Sequence, residues 1–360
     1  MAPASPASPG DAPVRVSVLV MSYQHERYIA RALDSVLEQD GGLSYEVLVG
    51  DDASDDASRS IIVEYAEAHP DRIRTYLPES NLGLTGKAMF NALLQRARGE
   101  YVAKLDGDDY WTSPAKLRRQ VAYLDAHHDC SMCFHNVLWL HEDGSRPSVP
   151  YNSDDQPSEL GMADLLGANP VASCSAVFRR EAIHPLPAWF FEQLWGDWQL
   201  NLLASQQGSV RYLPELMAVH LTHPGGMWSR LSRLEALEGI TAWQEGMQGI
   251  APPELEWRRR EALAETWVKR AVEHAHLGDR AGSRRCLRES FRVRPLDARR
   301  LRRGAGERRR ILLWMSLNIA GLERARKLRF AKRSSASKAA SAVTGGEAVR
   351  RAGRDERGAG

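Results

Sequence analysis

Cysteine is scarce, four in 360 residues. That is too few for a disulfide framework and makes a reducing cytosol the expected compartment. Long apolar runs are missing too: no stretch reaches the ~18–20 residues that span a bilayer. Residues 1–13 lack the basic start and apolar core of a signal peptide, and their Ala/Pro/Ser composition reads as a disordered leader. No glycine-rich phosphate loop follows the first apolar run, where Ser22-Tyr23-Gln24-His25-Glu26 stands instead. Net charge is also small, +2 from 48 Lys+Arg and 46 Asp+Glu, yet it is unevenly spread. Residues 1–255 hold 19 basic and 34 acidic side chains, net −15, while residues 256–333 hold 24 and 9, net +15. An acidic body and a basic tail imply different partners.

What is present is the composition of a folded protein. Hydrophobic residues make up 43% and charged residues 26%, which supports a packed core and excludes global disorder. Residues 14–21 (VRVSVLVM) are a nearly continuous β-branched run, the pattern of a strand buried on both faces of a parallel sheet. A crossover helix is expected over 26–38, where Ile29, Leu33, Val36 and Leu37 recur at helical spacing. Further strands are expected at 45–50, 73–77 and 101–105, and further helices at 60–68 and 87–98. This alternation predicts an α/β fold with a doubly wound sheet. Strand-like segments return at 171–178 and 210–213, after a turn-rich, acidic stretch from 141 to 159.

The polar clusters all stand just after strands: Ser22-Tyr23, Asp51-Asp52 and Asp106-Gly107-Asp108-Asp109. Open α/β sheets bind ligands outside the carboxyl ends of their strands, so these clusters should converge on one crevice. Three carboxylates in four residues repel one another unless a cation sits among them. Hard oxygen ligands there suit Mg²⁺ or Mn²⁺ shared with a diphosphate, although an acidic surface turn gives the same string. Cys130-Ser-Met-Cys133, beside His127, His128 and His135, has the spacing of half a zinc site, but no second half follows. Buried strand cysteines are the expected reading, with Cys130, Met132 and Phe134 facing away from Cys133.

Together VSVLVMSYQHERYIARALDSVLEQ, EVLVGDDASDDAS, NLGLTGKAMFNALLQRARGEYVAKLDGDDYW and GDWQLNLLA resemble a family 2 nucleotide-sugar glycosyltransferase with the GT-A fold, over residues 14–229. The resemblance implies a role for each matching position. Asp52 would bond the uracil N3–H, and Ser22 and Tyr23 would contact the nucleobase. Asp106 and Asp108 match the metal-binding DxD motif, with Asp108 the direct ligand and Asp106 nearer the ribose or a metal-bound water. His223, in HLTHPGGMWS, takes the place of a histidine on the metal or diphosphate. His220 and Leu221 stand where the family commonly has Tyr and Arg, so one diphosphate donor is missing. Asp197 of Gly196-Asp197-Trp198 matches the catalytic base, and a helix N-cap is the plainer role for the same residue. Glu26 and Lys87 join the expected nucleotide contacts, solvated lysine being the plainer state for Lys87 and Lys104. Trp111 and Trp198, with Trp189 and Trp195, lie on the expected acceptor side, core packing being their plainer role. Arg179-Arg180 is either a pair near an anionic acceptor or a solvated pair.

The implied enzyme is an inverting, Mn²⁺- or Mg²⁺-dependent glycosyltransferase that takes a nucleotide sugar, UDP-linked in expectation, to a glycan or lipid-linked acceptor of the cell envelope. A sugar-1-phosphate nucleotidyltransferase is the rival enzyme and a non-catalytic scaffold at the membrane the rival from another class. The first wants a glycine-rich loop after the first strand, and intact Asp52, Asp106, Asp108 and Asp197 argue against the second. The expected domains are 1–13 leader, 14–253 catalytic, 254–333 basic and helical, and 334–360 disordered tail. Residues 254–276 and 281–293 resemble one tetratricopeptide-type helix pair. Residues 311–322, apolar between arginine clusters, suit either a helix in the interface of an anionic membrane or an ordinary packed helix. The basic tail carries no stacking platform or known module, so nucleic acid is not an expected partner. Cytoplasmic placement with peripheral docking at the inner face of the plasma membrane follows.

Overall fold

The structure, a computed structural model, describes residues 13–295 other than Gly41, Leu194 and Trp228. The leader to residue 12, the expected helix at 311–322 and the tail at 334–360 lie outside the described residues. The strands are β1 (Val16–Ser22), β2 (Tyr45–Asp51), β3 (Ile73–Tyr76), β4 (Tyr101–Asp106), β5 (Tyr110–Trp111), β6 (Cys130–His141), β7 (Val149–Pro150), β8 (Glu159–Leu160), β9 (Val177–Arg179) and β10 (Ser209–Thr222). They form one sheet in the order β3-β2-β1-β4-β9-β6-β10-β5, with β7 on β6 and β8 on β10.

β1 to β4 are mutually parallel, with Ser22 level with Asp51 and Met21 level with Asp106. That register brings the three polar clusters to one edge. Side chains alternate across the pleat, so Val18, Val20, Val47 and Val49 pack under helices Ile29–Leu37 and Ser58–Ala68. Leu19, Leu48 and Val102 point the other way, against Met89, Phe90 and Leu93 of helix Lys87–Leu94. Burying one such aliphatic side chain contributes roughly 1.5–3 kcal/mol, so the two-sided cover is the main source of stability. The sheet is therefore doubly wound as expected, and β9, antiparallel to both β4 and β6, makes it mixed.

Three expectations shift. The 171–178 stretch is not one strand: Ser173–Ser175 is a 3-10 turn and only Val177–Arg179 is extended. Serine hydroxyls explain it, since Ser175 Oγ bonds back to Ala172 O and Ser173 Oγ reaches Asp106. The segment at 210–213 grows into the 14-residue β10. Cys130 and Cys133 share one core instead of facing apart, because a register shift between Ser209 and Val210 passes over Ser131. Both cysteines are free and buried.

Two charged side chains lie in this core on different terms. Glu46 accepts from Ser17 Oγ at 2.7 Å, Arg98 N at 2.8 Å and Arg74 at 2.6 Å. Burial disfavours its charge, but those bonds hold its carboxyl below the usual glutamate range. Lys116, fully buried, has no hydrogen-bond partner for its ammonium among the described residues and stands 4.0 Å from the Trp111 ring centre.

The chain divides into two compact units between Thr266 and Trp267. Helix Glu256–His276 crosses that division. In the second unit Val268 and Ala271 pack on Cys286 and Leu287 of helix Arg280–Val293. Asp279 caps that helix by accepting from Gly282 N at 2.8 Å, and Ser283 Oγ bonds Ala271 O at 2.6 Å. No helix among the described residues is long and apolar enough to cross a membrane.

Candidate active site

The clusters at the ends of β1, β2 and β4 meet as the register requires. Asp52 is buried, its backbone N–H bonds Ser22 O at 2.9 Å, and its Oδ1 accepts from Leu82 N at 2.7 Å. Burial pushes its carboxyl up, the Leu82 bond opposing. The Ser22 hydroxyl beside it is buried without a partner among the described residues, whereas Tyr23 is exposed. Glu26 lies one turn on and accepts from Ala57 N at 3.0 Å.

The three acids of Asp106-Gly107-Asp108-Asp109 separate into different roles. Asp106 is bound by Lys104 Nζ at 2.8 Å through both oxygens and by Ser173 Oγ at 2.5 Å. Asp108 turns instead to histidines, with Oδ2 at 3.1 Å from His223 Nε2 and 3.8 Å from His25 Nε2. Burial works against its charge, but the bond from His223 and the two imidazoles hold its carboxyl below the ordinary range. One donor atom from each of His25, Asp108 and His223 lies within 4.8 Å of the others, a set whose chemistry fits a divalent cation. Asp109 is deeper and pairs with His220 Nδ1 at 3.1 Å while accepting from Leu221 N at 2.9 Å. Burial lowers the His220 pKa, but the Asp109 carboxylate outweighs it and raises it to about 9. His220 and Leu221, the departures from the family pattern, thus anchor β10 to the third acid.

Asp197 sits in the first turn of helix Gly196–Ser205, makes no cap bond, and keeps 44% of its side chain exposed. Lys104 Nζ reaches it at 3.0 Å, so one buried ammonium joins Asp106 to Asp197. Burial opposes that charge, and the two carboxylates more than offset it, holding the lysine well above its usual value. Neither Lys104 nor Lys87 is solvated, contrary to the plainer sequence reading. Lys87 is buried, its ammonium on the carbonyls of Phe191 and Gln193. Its stem lies where Gly196 leaves room, as a Cβ there would stand 3.1 Å from Lys87 Cγ. Lys87 thereby fixes the start of the helix that carries Asp197.

Trp111 and Trp198 are buried, donating to the carbonyls of Cys174 at 3.0 Å and Leu165 at 2.6 Å. Trp198 stacks on Trp243 at 4.0 Å between centroids. Core packing therefore accounts for both indoles. Arg179 pairs with Tyr101 at the start of β4, the end away from the acids, and bonds Cys130 O and Leu124 O. Sequence reasoning overlooked His25 and Ser173 as site residues. Their signal was position: one lies in the turn after β1, the other just before β9.

Carboxylates and histidines gathered beyond the carboxyl ends of parallel strands form the kind of crevice in which open α/β sheets bind ligands. The family model for glycosyl transferase family 2 matches residues 17–185. Rv1520 of Mycobacterium tuberculosis is 39% identical over 271 residues, 71% of this chain and 75% of that protein. The uncharacterized glycosyltransferase alr2836 of Nostoc is 29% identical over 221 residues, 58% of this chain and 65% of the other. Among solved structures, Staphylococcus aureus TarS 1–349 with UDP-GlcNAc superposes with a TM-score of 0.60 at 20% identity, covering 84% of this chain and 90% of TarS 1–349. The mannosyltransferase PcManGT of Pyrobaculum calidifontis, in complex with GDP-Man and Mn²⁺, gives 0.50 at 20% identity over 88% and 90%. The chain belongs to glycosyl transferase family 2 and is a glycosyltransferase of the GT-A fold.

Proposed function

We propose that the enzyme moves a sugar from a nucleotide diphosphate donor, UDP-linked, to a glycan or lipid-linked acceptor in surface-polysaccharide synthesis, with inversion. The observation that carries this reading is the division of labour among the acids: Asp108 against His223, and Asp197 open to solvent, with the Lys104 ammonium between Asp106 and Asp197. Asp108 and His223 would hold Mn²⁺ or Mg²⁺, whose chemistry is to neutralise the diphosphate as it leaves. Asp197 accepts the proton of the acceptor hydroxyl as that oxygen attacks the anomeric carbon. Attack from the face opposite the diphosphate inverts the centre. Asp52 and the unpartnered Ser22 hydroxyl receive the base, Tyr23 offers an exposed ring beside it, and Asp106 meets the ribose. Glu26 and Lys87 act by pinning the turn after β1 and the helix of Asp197. The UDP-GlcNAc complex of TarS and the GDP-Man and Mn²⁺ complex of PcManGT support the donor class and the cation.

The test is release of UDP or GDP from a panel of nucleotide sugars with Mn²⁺, for the wild type, Asp108→Ala and Asp197→Asn. Turnover that both substitutions abolish supports the reading. No turnover with any donor, or variants equal to the wild type, overturns it. The basic helical region from residue 254 would keep the enzyme at the cytoplasmic face of an anionic membrane, where a lipid-linked acceptor resides.

A further inference from the structure

We infer that His25 is a third protein ligand of the metal, and that this two-imidazole, one-carboxylate site selects Mn²⁺ over Mg²⁺. The inference rests on the proposed cation site at Asp108 and His223. It extends that site by a residue whose position depends on two backbone features.

The first feature is the turn after β1. Gln24 takes a left-handed conformation, φ +57°, uncommon for a residue with a side chain, and this sends His25 back over the sheet edge. The turn is held from one side: Gln24 N bonds Ser54 Oγ at 2.8 Å, His25 N bonds Ser58 Oγ at 2.8 Å, and Glu26 N bonds Asp56 Oδ2 at 3.0 Å. Three bonds to one five-residue segment fix the backbone of His25 before any ligand arrives. Such pre-positioning is what a metal ligand needs.

The second feature is Gly107. A Cβ there would stand 2.8 Å from His25 Nδ1 and 3.0 Å from Met21 O. The missing side chain of the DGD turn is therefore the room the imidazole occupies. The ring also meets His223, 6.3 Å between centroids, and Tyr28 lies 4.5 Å from His223 on another side. His25 Nδ1 is buried with no hydrogen-bond partner among the described residues, so none of them holds the ring there by a bond to that nitrogen. Nε2 points the other way, 3.8 Å from Asp108 Oδ2.

The donor set then weighs against Mg²⁺. Mg²⁺ dehydrates reluctantly and is usually held by one or two carboxylates with phosphate oxygens and water. Imidazole nitrogen favours transition ions, and a carboxylate with phosphate oxygens completes a mixed set that Mn²⁺ accepts. Two imidazoles and one carboxylate are a poor set for Mg²⁺.

The experiment uses the full chain with Mn²⁺ and UDP as the probe. Pulsed EPR of the bound Mn²⁺ counts coupled imidazole nitrogens, and loss of the free-ion signal gives its affinity. The wild type should show two coupled nitrogens and bind Mn²⁺ at least about tenfold more tightly than Mg²⁺. His25→Gln should show one nitrogen and bind Mn²⁺ about tenfold or more weakly. His25→Asp should also lose a nitrogen, and its Mg²⁺ affinity should rise relative to Mn²⁺. Gly107→Ala, with every ligand present, should lose the same nitrogen. Unchanged nitrogen coupling in His25→Gln, or equal Mg²⁺ and Mn²⁺ affinity in the wild type, overturns the inference. If Asp108→Ala loses Mn²⁺ while His25→Gln keeps both nitrogens, the His25 ligand is refuted and the glycosyl-transfer reading stands. If Asp108→Ala and His223→Ala both bind Mn²⁺ normally, the cation site itself is wrong.

Discussion

Replacing Lys116 with methionine should stabilise the protein at neutral pH. The ammonium is fully buried with no hydrogen-bond partner among the described residues, and burial pulls its pKa from 10.5 down to about 7. A fall of that size corresponds to about 5 kcal/mol charged against the folded state when the lysine is protonated. The Trp111 ring, 4.0 Å from the ammonium, returns roughly 0.5–2 kcal/mol of that through cation–π attraction. Methionine keeps most of the stem volume and carries no charge, so the net gain near pH 7 is about 2–4 kcal/mol. The sign follows from linkage. The unfolded chain binds the Lys116 proton more tightly than the folded one, so the penalty is complete below about pH 7 and disappears above 10.5. Urea unfolding of wild type and Lys116→Met at several pH values between 6 and 10.5 measures it. Taking the difference between the two cancels the other groups that titrate there. The gap should shrink to below about 1 kcal/mol at the alkaline end. A variant less stable than the wild type at pH 7, or a gap that does not narrow with pH, would refute the reasoning.

Trp198→Ala removes the stack on Trp243 and the bond to Leu165 O, and should cost about 3–5 kcal/mol of stability by urea unfolding. Full stability with altered acceptor preference would restore the indole to the acceptor side. Glu46→Gln should destabilise by about 2 kcal/mol at pH 7, less as pH falls, because the wild-type carboxylate loses its contribution below the usual glutamate range. Asp197→Asn should lower kcat about 10²–10⁴-fold while UDP still binds by calorimetry. Loss of UDP binding in step with kcat would instead give Asp197 a donor-side role. In sedimentation with anionic liposomes, the full chain should be recovered and a chain ending near Pro253 should not; equal recovery eliminates lipid docking.

The parallel half of the fold was legible because β1, β2 and β4 are written as nearly continuous apolar runs, each ending on the polar cluster that meets its neighbours in the fold. Asp108 and Asp197 were reachable by motif. What escaped the sequence depends on partners far along the chain. Lys104 reads as an ordinary solvated lysine until Asp197, 93 residues later, folds within 3.0 Å of it. His25 acquires its position from the sign of one φ angle at Gln24. Simple alternation puts Cys130 and Cys133 on opposite faces, and a single bulge at Ser131 reverses that. The serines of Ser173–Ser175 likewise ended a strand that apolar character alone would have continued.

The pairing among the acids also decides how an anionic donor is received. A body of net −15 should repel a diphosphate. Of Asp106, Asp108, Asp109 and Asp197, however, Asp109 is neutralised by His220, and Asp106 and Asp197 share the charge of Lys104. Much of the local repulsion is thus cancelled from inside the protein before substrate arrives. Asp108 instead faces His223 and His25, the set proposed to hold the cation, which makes it the point where donor entry becomes a question of the counterion the nucleotide brings with it.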